Sequence, residues 1–159
     1  MQRLSVLLLI SIISTSISAA EPAAPCSGKR VKSHVAISCA DMSHANLNRA
    51  QLVGQDLRGI KLLRANLRQT NLSGTNLQSA KLQFTDLHKA NLQNADLRNA
   101  SLREAKLYKV DLRGADLRGT NFRKARLTGA NLSGAIFNDQ TILPFSREKA
   151  LALGMIYRP

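Results

Sequence analysis

The chain has 159 residues, of which 44% are apolar and only 4% aromatic, and 25 Leu with 20 Ala supply nearly two-thirds of the apolar side chains. That richness excludes a disordered chain, and two Tyr with four Phe are too few rings for an aromatic nucleic-acid platform. Twenty-three Lys and Arg against ten Asp and Glu leave +13 at a sequence pI near 10.7, which turns attention to anionic partners.

Residues 1–20 read as a secretory signal: Arg3 gives the positive start, Leu4 to Ile13 an apolar run broken only by Ser5 and Ser11, and Ser18-Ala19-Ala20 a small-residue cleavage site before Glu21-Pro22. A run of ten residues is too short to span a bilayer, which needs ~20. Cleavage near Ala20 and a periplasmic or secreted product are expected, not a transmembrane protein. A buried N-terminal strand is the competing reading, weakened by the small residues and Pro that follow. A lipid anchor at Cys26 is weaker still, because Ala23-Ala24-Pro25 places no small residue directly before the cysteine. Loss of Arg3 leaves 22 basic and 10 acidic residues, +12.

Residues 21–39 read as a linker and N-terminal cap. Cys26 and Cys39 are the only cysteines, and in an oxidising compartment such a pair persists as a disulfide worth ~3 kcal/mol in the chain-entropy model. Two independent buried thiols remain the alternative. A metal site with His34 or His44 shows no familiar ligand spacing.

From Met42 to Ile142 every fifth residue is apolar, 21 positions of which seventeen are Leu and the others Met42, Phe122, Phe137 and Ile142. Two residues earlier sits a small residue, Ala at 13 positions and Thr at four, Thr70, Thr75, Thr85 and Thr120. The repeat is Ala-(Asp/Asn)-Leu-x-x, as in Ala90-Asn91-Leu92-Gln93-Asn94. A helix turning ~100° per residue carries a fifth-residue Leu around its axis. A flat strand puts alternate repeats on opposite faces. The pattern closes only if each pentapeptide is a short extended piece, with its small residue and Leu inward, followed by a bend, so that the chain winds around its own Leu columns as a β-helical solenoid. Gly54, Gly74, Asn94, Gly114 and Gly134 recur at twenty-residue spacing, which predicts one positive-φ corner per coil, four pentapeptides per coil and about five coils. Five coils at ~4.8 Å each make a prism roughly 24 Å tall.

These residues resemble the pentapeptide repeat family over about 40–142. The resemblance implies an all-β fold, a right-handed quadrilateral parallel β-helix with Leu and the small residue inside and the other three outside. Gln55, Ile60 and Gln140 depart from the small-residue position, so bulges are expected in the second coil and the final turn. The best-known activity of the family belongs to quinolone-resistance proteins that resemble DNA and bind a type II topoisomerase. That role depends on a long acidic surface in the cytoplasm, and this chain is basic and reads as exported.

A solenoid needs capped ends, because open coils present unpaired strand edges. In an extended piece ending at Cys39, Val31, Val35 and Ile37 would share one side, and a Cys26–Cys39 disulfide would staple an N-terminal lid. Over 143–159, Ser146 reads as a helix cap before Arg147-Glu148-Lys149-Ala150-Leu151 and Gly154 as its stop, with Phe145, Leu151 and Ile156 expected to close the last coil. A monomeric cap and an end-to-end homodimer are both compatible with this end.

Four sides let the charges be sorted. Side one carries Leu47, Leu67, Leu87, Leu107 and Leu127, and sides two, three and four follow at steps of five. Side four holds Lys61, Arg64, Lys81, Arg103, Arg123 and Lys124, and side one Arg49, Arg68, Lys89, Lys106, Lys109 and Arg126. Against these twelve stand Asp41, Asp86 and Glu104, giving +9, while sides two and three carry four basic and five acidic residues, −1. On the near-neutral half the ions are locally matched, as Asp56 with Arg58 and Asp96 with Arg98, and the basic half is expected to lack such partners. Lys61, Arg64, Lys81, Arg103, Arg123, Lys124, Lys106, Lys109 and Arg126 are therefore candidate polyanion-binding residues, for lipopolysaccharide, anionic lipid head groups, an acidic envelope polymer or nucleic acid. Leu63 and Phe84 form a candidate apolar patch beside Lys61, Arg64 and Lys81, one that could seat an acyl chain or a protein partner, although single exposed apolar residues are common.

Catalysis has little support. His88 lies two residues after Asp86 and one coil from Tyr108, with no Ser or Cys nucleophile alongside, and a filled prism lacks a concave pocket. No enzyme activity, metal, cofactor or small-molecule substrate is expected. Two functions follow: an exported scaffold or protein-interaction module with a partner in the cell envelope, and a polyanion-binding protein acting through sides four and one.

Overall fold

The computed structural model describes residues 40–159. Cys26, Cys39, the signal segment and the N-terminal cap lie outside the described residues. From Asp41 onward the chain winds in coils of twenty residues, and each outward residue pairs in parallel with its counterpart one coil on, as Asn46 with Asn66 and Asn66 with Asp86. Four such ladders, one per side, stack coil on coil. Inside them Leu62, Leu67, Leu77, Leu97 and Leu117 are no more than 1% exposed, and Phe122 fills a Leu place without access to water.

The backbone shows why a pentapeptide is the unit. The Leu N–H donates to the outward residue of the next coil at 2.7–2.9 Å, and the outward residue's N–H donates back to the small residue of the previous coil, as Asn66 does to Ala45 at 2.9 Å. The small residue's N–H closes a turn on the Leu three before it, as Ala45 does on Met42 at 3.1 Å. In that turn the third residue has positive φ, the mark of a type II turn. All nineteen such corner residues from His44 to Gly134 have φ between 53° and 72°. Positive φ is thus no property of one glycine column: twelve corners on all sides carry non-glycine residues, Arg64, Lys89 and Glu104 among them. The twenty-residue period is present in the ladders, but the Gly and Asn column marks one corner of four equivalent ones.

One N–H per pentapeptide is left over, on the residue after the Leu. The Asp or Asn side chain two residues earlier accepts from it, thirteen times between Ser43 and Ser133, at 3.0–3.3 Å. The second residue of the motif is therefore a backbone cap, an Asx turn repeated around the prism. Threonines in the small slot bury their hydroxyls by donating to carbonyls, Thr70 to Leu47 at 2.8 Å and Thr120 to Leu97 at 2.7 Å.

The second coil does not bulge. Gln51, Asp56 and Lys61 keep the twenty-residue register, and Ile60 is 1% exposed, because its neighbour one coil on is the small Ala80. The final turn does take an extra residue. It closes from the Asn138 carbonyl to the Thr141 N–H at 3.0 Å, and Asn121 pairs with Ile142, twenty-one residues on. Thr141 thus fills the inward slot assigned to Gln140, its hydroxyl donating to the Leu117 carbonyl at 3.0 Å. Ile142 turns outward at 48% exposure, and Leu143 packs against the core in its place.

The far end is built from a helix, α1 (Arg147–Ala152), capped by the Ser146 side chain, and a parallel strand pair, β1 (Ile136–Phe137) with β2 (Ile156–Tyr157). After α1 the chain re-enters the twenty-residue frame. Gly154, at φ 78°, accepts from the Gly134 N–H at 2.8 Å, and Met155 takes an inward place at 4% exposure. Tyr157 packs edge-on over Phe137 with ring centroids 5.6 Å apart. Ala150, Met155 and Tyr157 close this end, whereas Leu151 and Ile156, expected to do so, are 48% and 44% exposed.

Candidate functional site

The outer surface divides into two electrostatic halves. On sides two and three each Arg folds back two residues onto an Asp, as Arg58 onto Asp56 at 2.7 Å, Arg98 onto Asp96 at 2.7 Å, Arg113 onto Asp111 at 2.8 Å and Arg118 onto Asp116 at 2.6 Å. The hydrogen bonds from Arg58 and Arg113 hold the Asp56 and Asp111 carboxyls below the usual range. At Asp96 and Asp116 partial burial pushes upward, and hydrogen bonds from Arg98 and Gln78, or from Arg118, outweigh it and leave both lowered. These pairs are solvated and contribute little stability, ~0 to 1 kcal/mol each. Their charge is spent locally.

Sides four and one differ. Lys61 and Lys81 stand on adjacent rungs of one ladder, and Lys106 and Arg126 on adjacent rungs of the next. Arg103 and Arg123 occupy equivalent positions on successive coils, at the corner that joins the two sides, with Arg64 and Lys124 on the same corner. Lys109 stands with Lys89 on the following corner, between sides one and two, so it belongs to the basic half but not to this group. Two carboxylates do reach the basic half, Asp41 to Lys61 at 3.7 Å and Asp86 to Arg68 at 3.2 Å, which corrects the expectation that it has no acidic partners. Arg126 donates to the Tyr108 hydroxyl at 3.1 Å, and the Arg64 guanidinium lies 5.5 Å from the Phe84 ring centre. Among the described residues, Lys81, Arg103, Lys106, Arg123 and Lys124 enter no ion pair within 4.0 Å.

The basic half also departs from the local rule of the fold. Of the twenty outward positions from Asp41 to Ile136, thirteen carry the capping Asp or Asn. Four of the seven exceptions are Lys61, Lys81, Lys106 and Arg126, all on sides four and one. Each leaves the N–H two residues later without its side-chain cap, which forgoes a net stabilisation of about 0.5–1.5 kcal/mol. Like charges on facing rungs destabilise further.

The profile of pentapeptide repeats matches this chain in overlapping stretches, 37–74, 60–99, 80–119 and 100–139, as eight copies. The chain belongs to the pentapeptide repeat family. Its members form right-handed quadrilateral β-helices. Among solved structures it is similar to HetL from Nostoc sp. strain PCC 7120, a pentapeptide repeat protein involved in heterocyst differentiation regulation. That match has 38% identity and a TM-score of 0.59 over 60% of this chain and 42% of that one. Rfr23 from the cyanobacterium Cyanothece 51142 superposes with a TM-score of 0.58 at 23% identity, over 66% of this chain and 88% of that one. QnrB1, a plasmid-mediated fluoroquinolone resistance protein, is matched at 24% identity and a TM-score of 0.38 over 62% of this chain and 55% of that one. No curated protein matches the sequence.

This pentapeptide repeat protein assembles no acid–base pair at His88. Asp86 accepts from the His88 backbone N–H at 3.1 Å and, through its other oxygen, from the Arg68 guanidinium, while the His88 ring leans on Tyr108 at 6.4 Å between ring centres. Pentapeptide repeat proteins are generally structural and non-catalytic. The residues that sequence reasoning overlooked are the capping Asp and Asn side chains. Their signal was present as the second letter of the motif, and its meaning appeared only with the orphan N–H.

Proposed function

We propose that the chain is an exported, non-catalytic binding scaffold whose basic half, sides four and one, receives a polyanionic partner. One observation carries this reading: at Lys61, Lys81, Lys106 and Arg126 a backbone cap is given up for a cation, in vertical like-charged pairs. Departures from local consistency concentrate where function demands them. A prism with four flat sides suits binding. The anionic partner neutralises charges that stacking forces together.

The test is charge reversal of Lys61, Lys81, Arg103 and Arg123 to Glu, with retention on an anionic matrix followed against salt. Loss of retention and a slope of log K against log salt lower by roughly three or more are expected. Unchanged retention and slope exclude the polyanion reading. Co-purification from the native envelope then identifies a scaffold partner that binds by other means.

A further inference from the structure

We propose that the ridge where sides four and one meet docks on the surface of an anionic phospholipid bilayer, with Phe84 and Leu63 entering the interfacial layer. The inference rests on the polyanion reading and narrows its partner. The ridge consists of two adjacent corner columns, one with Leu63, Gln83, Arg103 and Arg123, the other with Arg64, Phe84, Glu104 and Lys124. Among the nineteen positive-φ corner residues, Phe84 is the one bulky apolar side chain; the rest are glycine or polar. It holds φ at 60°, a conformation that glycine or asparagine accepts more readily, and is 43% exposed. Leu63, one coil away, is 36% exposed. Between them Gln83 keeps Oε1 out of water and without a hydrogen-bond partner, the one such buried side-chain atom among the described residues.

Two neighbouring apolar side chains, Leu63 and Phe84, are thus poorly suited to water, and they lie where the cations are densest. Arg64, Arg103, Arg123 and Lys124 follow the ridge, with Lys61 and Lys81 on one flank. Lys106 and Arg126 stand on the other. Opposing charge is limited to Glu104 on the ridge and to Asp41 and Asp86, which already pair with Lys61 and Arg68. Val53, the other exposed aliphatic residue on the corners of the pentapeptide coils, is 50% exposed between sides two and three, away from this group. A soluble polyanion needs the charges and has no use for an exposed ring. A bilayer with anionic head groups uses both, because Phe and Leu side chains bury at the boundary between head groups and acyl chains and each nearby Lys or Arg adds about five-fold to partition. Among the described residues no helix is long and apolar enough to cross a membrane.

The chain has no Trp, so Phe84→Trp in the full chain gives a single tryptophan at the ridge, excited selectively over the two Tyr. Read at position 84, the shift reports whether the ridge itself enters the interface. A blue shift is expected with vesicles of equal phosphatidylglycerol and phosphatidylcholine, and none with phosphatidylcholine alone or with soluble polyphosphate. Adding Lys61→Glu and Lys81→Glu should abolish it. Separately, Leu63→Ser with Phe84→Ser should weaken partition to the anionic vesicles about ten-fold or more while leaving polyphosphate retention unchanged. No shift on anionic vesicles, with polyphosphate retention intact, overturns the docking and leaves the polyanion reading standing. Loss of both removes both, and an equal shift on neutral vesicles overturns the requirement for anionic lipid.

Discussion

Leu97→Ala tests whether the Leu columns form a rigid core. Leu97 is fully buried between Leu77 and Leu117 of the same column, and both neighbours are fully buried too. The substitution removes three carbons, a transfer loss of about 2.4 kcal/mol at ~0.8 kcal/mol each. Collapse onto the cavity is resisted on both sides: the Leu97 N–H is tied to Asp116 at 2.8 Å and the Leu77 N–H to Asp96 at 2.7 Å. The loss should therefore fall in the upper part of the range for such changes, about 4 kcal/mol. Leu127, half-buried in the last full coil, should lose only about 2 kcal/mol on the same change. Urea unfolding followed by circular dichroism measures both, with an unchanged m-value and a fall in Tm of roughly 10 °C for Leu97→Ala. Equal losses at the two sites, or less than about 1 kcal/mol at Leu97, would refute a core held open by its ladders.

Thr120→Val keeps the shape of a fully buried side chain and removes its bond to the Leu97 carbonyl, which still accepts from Ala100 at 2.9 Å. A loss of about 1 kcal/mol is expected by the same assay, and a neutral result denies the hydroxyl any net role. Gly74→Ala meets no atom within 4 Å and should lose about 1 kcal/mol through its φ of 64° alone. Gly114→Ala also meets the Asn94 side-chain oxygen and should lose more. A double-mutant cycle with Asn94→Gly should erase that difference, and a persisting gap removes the contact as its cause. The carboxyls of Asp56, Asp96, Asp111 and Asp116 are lowered in the folded state. Their contribution is complete above the unfolded value of about 4 and is lost as pH falls through the folded values. Tm should decline below about pH 4, less steeply in Asp96→Asn, and a Tm indifferent to acid contradicts the assigned shifts.

The sequence by itself determined the winding. A fifth-residue Leu with a small residue two before it leaves no other way to bury both, and the twenty-residue phase placed Lys61, Lys81, Arg103 and Arg123 on one half of the surface. Period reports which residues share a face, because burial selects side chains at every repeat. It does not report backbone needs that no single residue type satisfies. Positive φ at all four corners was hidden because Arg64, Phe84 and Lys89 tolerate a conformation that only glycine advertises. The inserted residue before Ile142 was hidden because Thr141 and Leu143 copy the motif one place late. The capping role of Asp and Asn required the ladder, which shows the N–H left without a partner. Only with that rule in place does the loss of caps at Lys61, Lys81, Lys106 and Arg126 become visible, and a charge imbalance counted from composition becomes a surface for which local stability was given up.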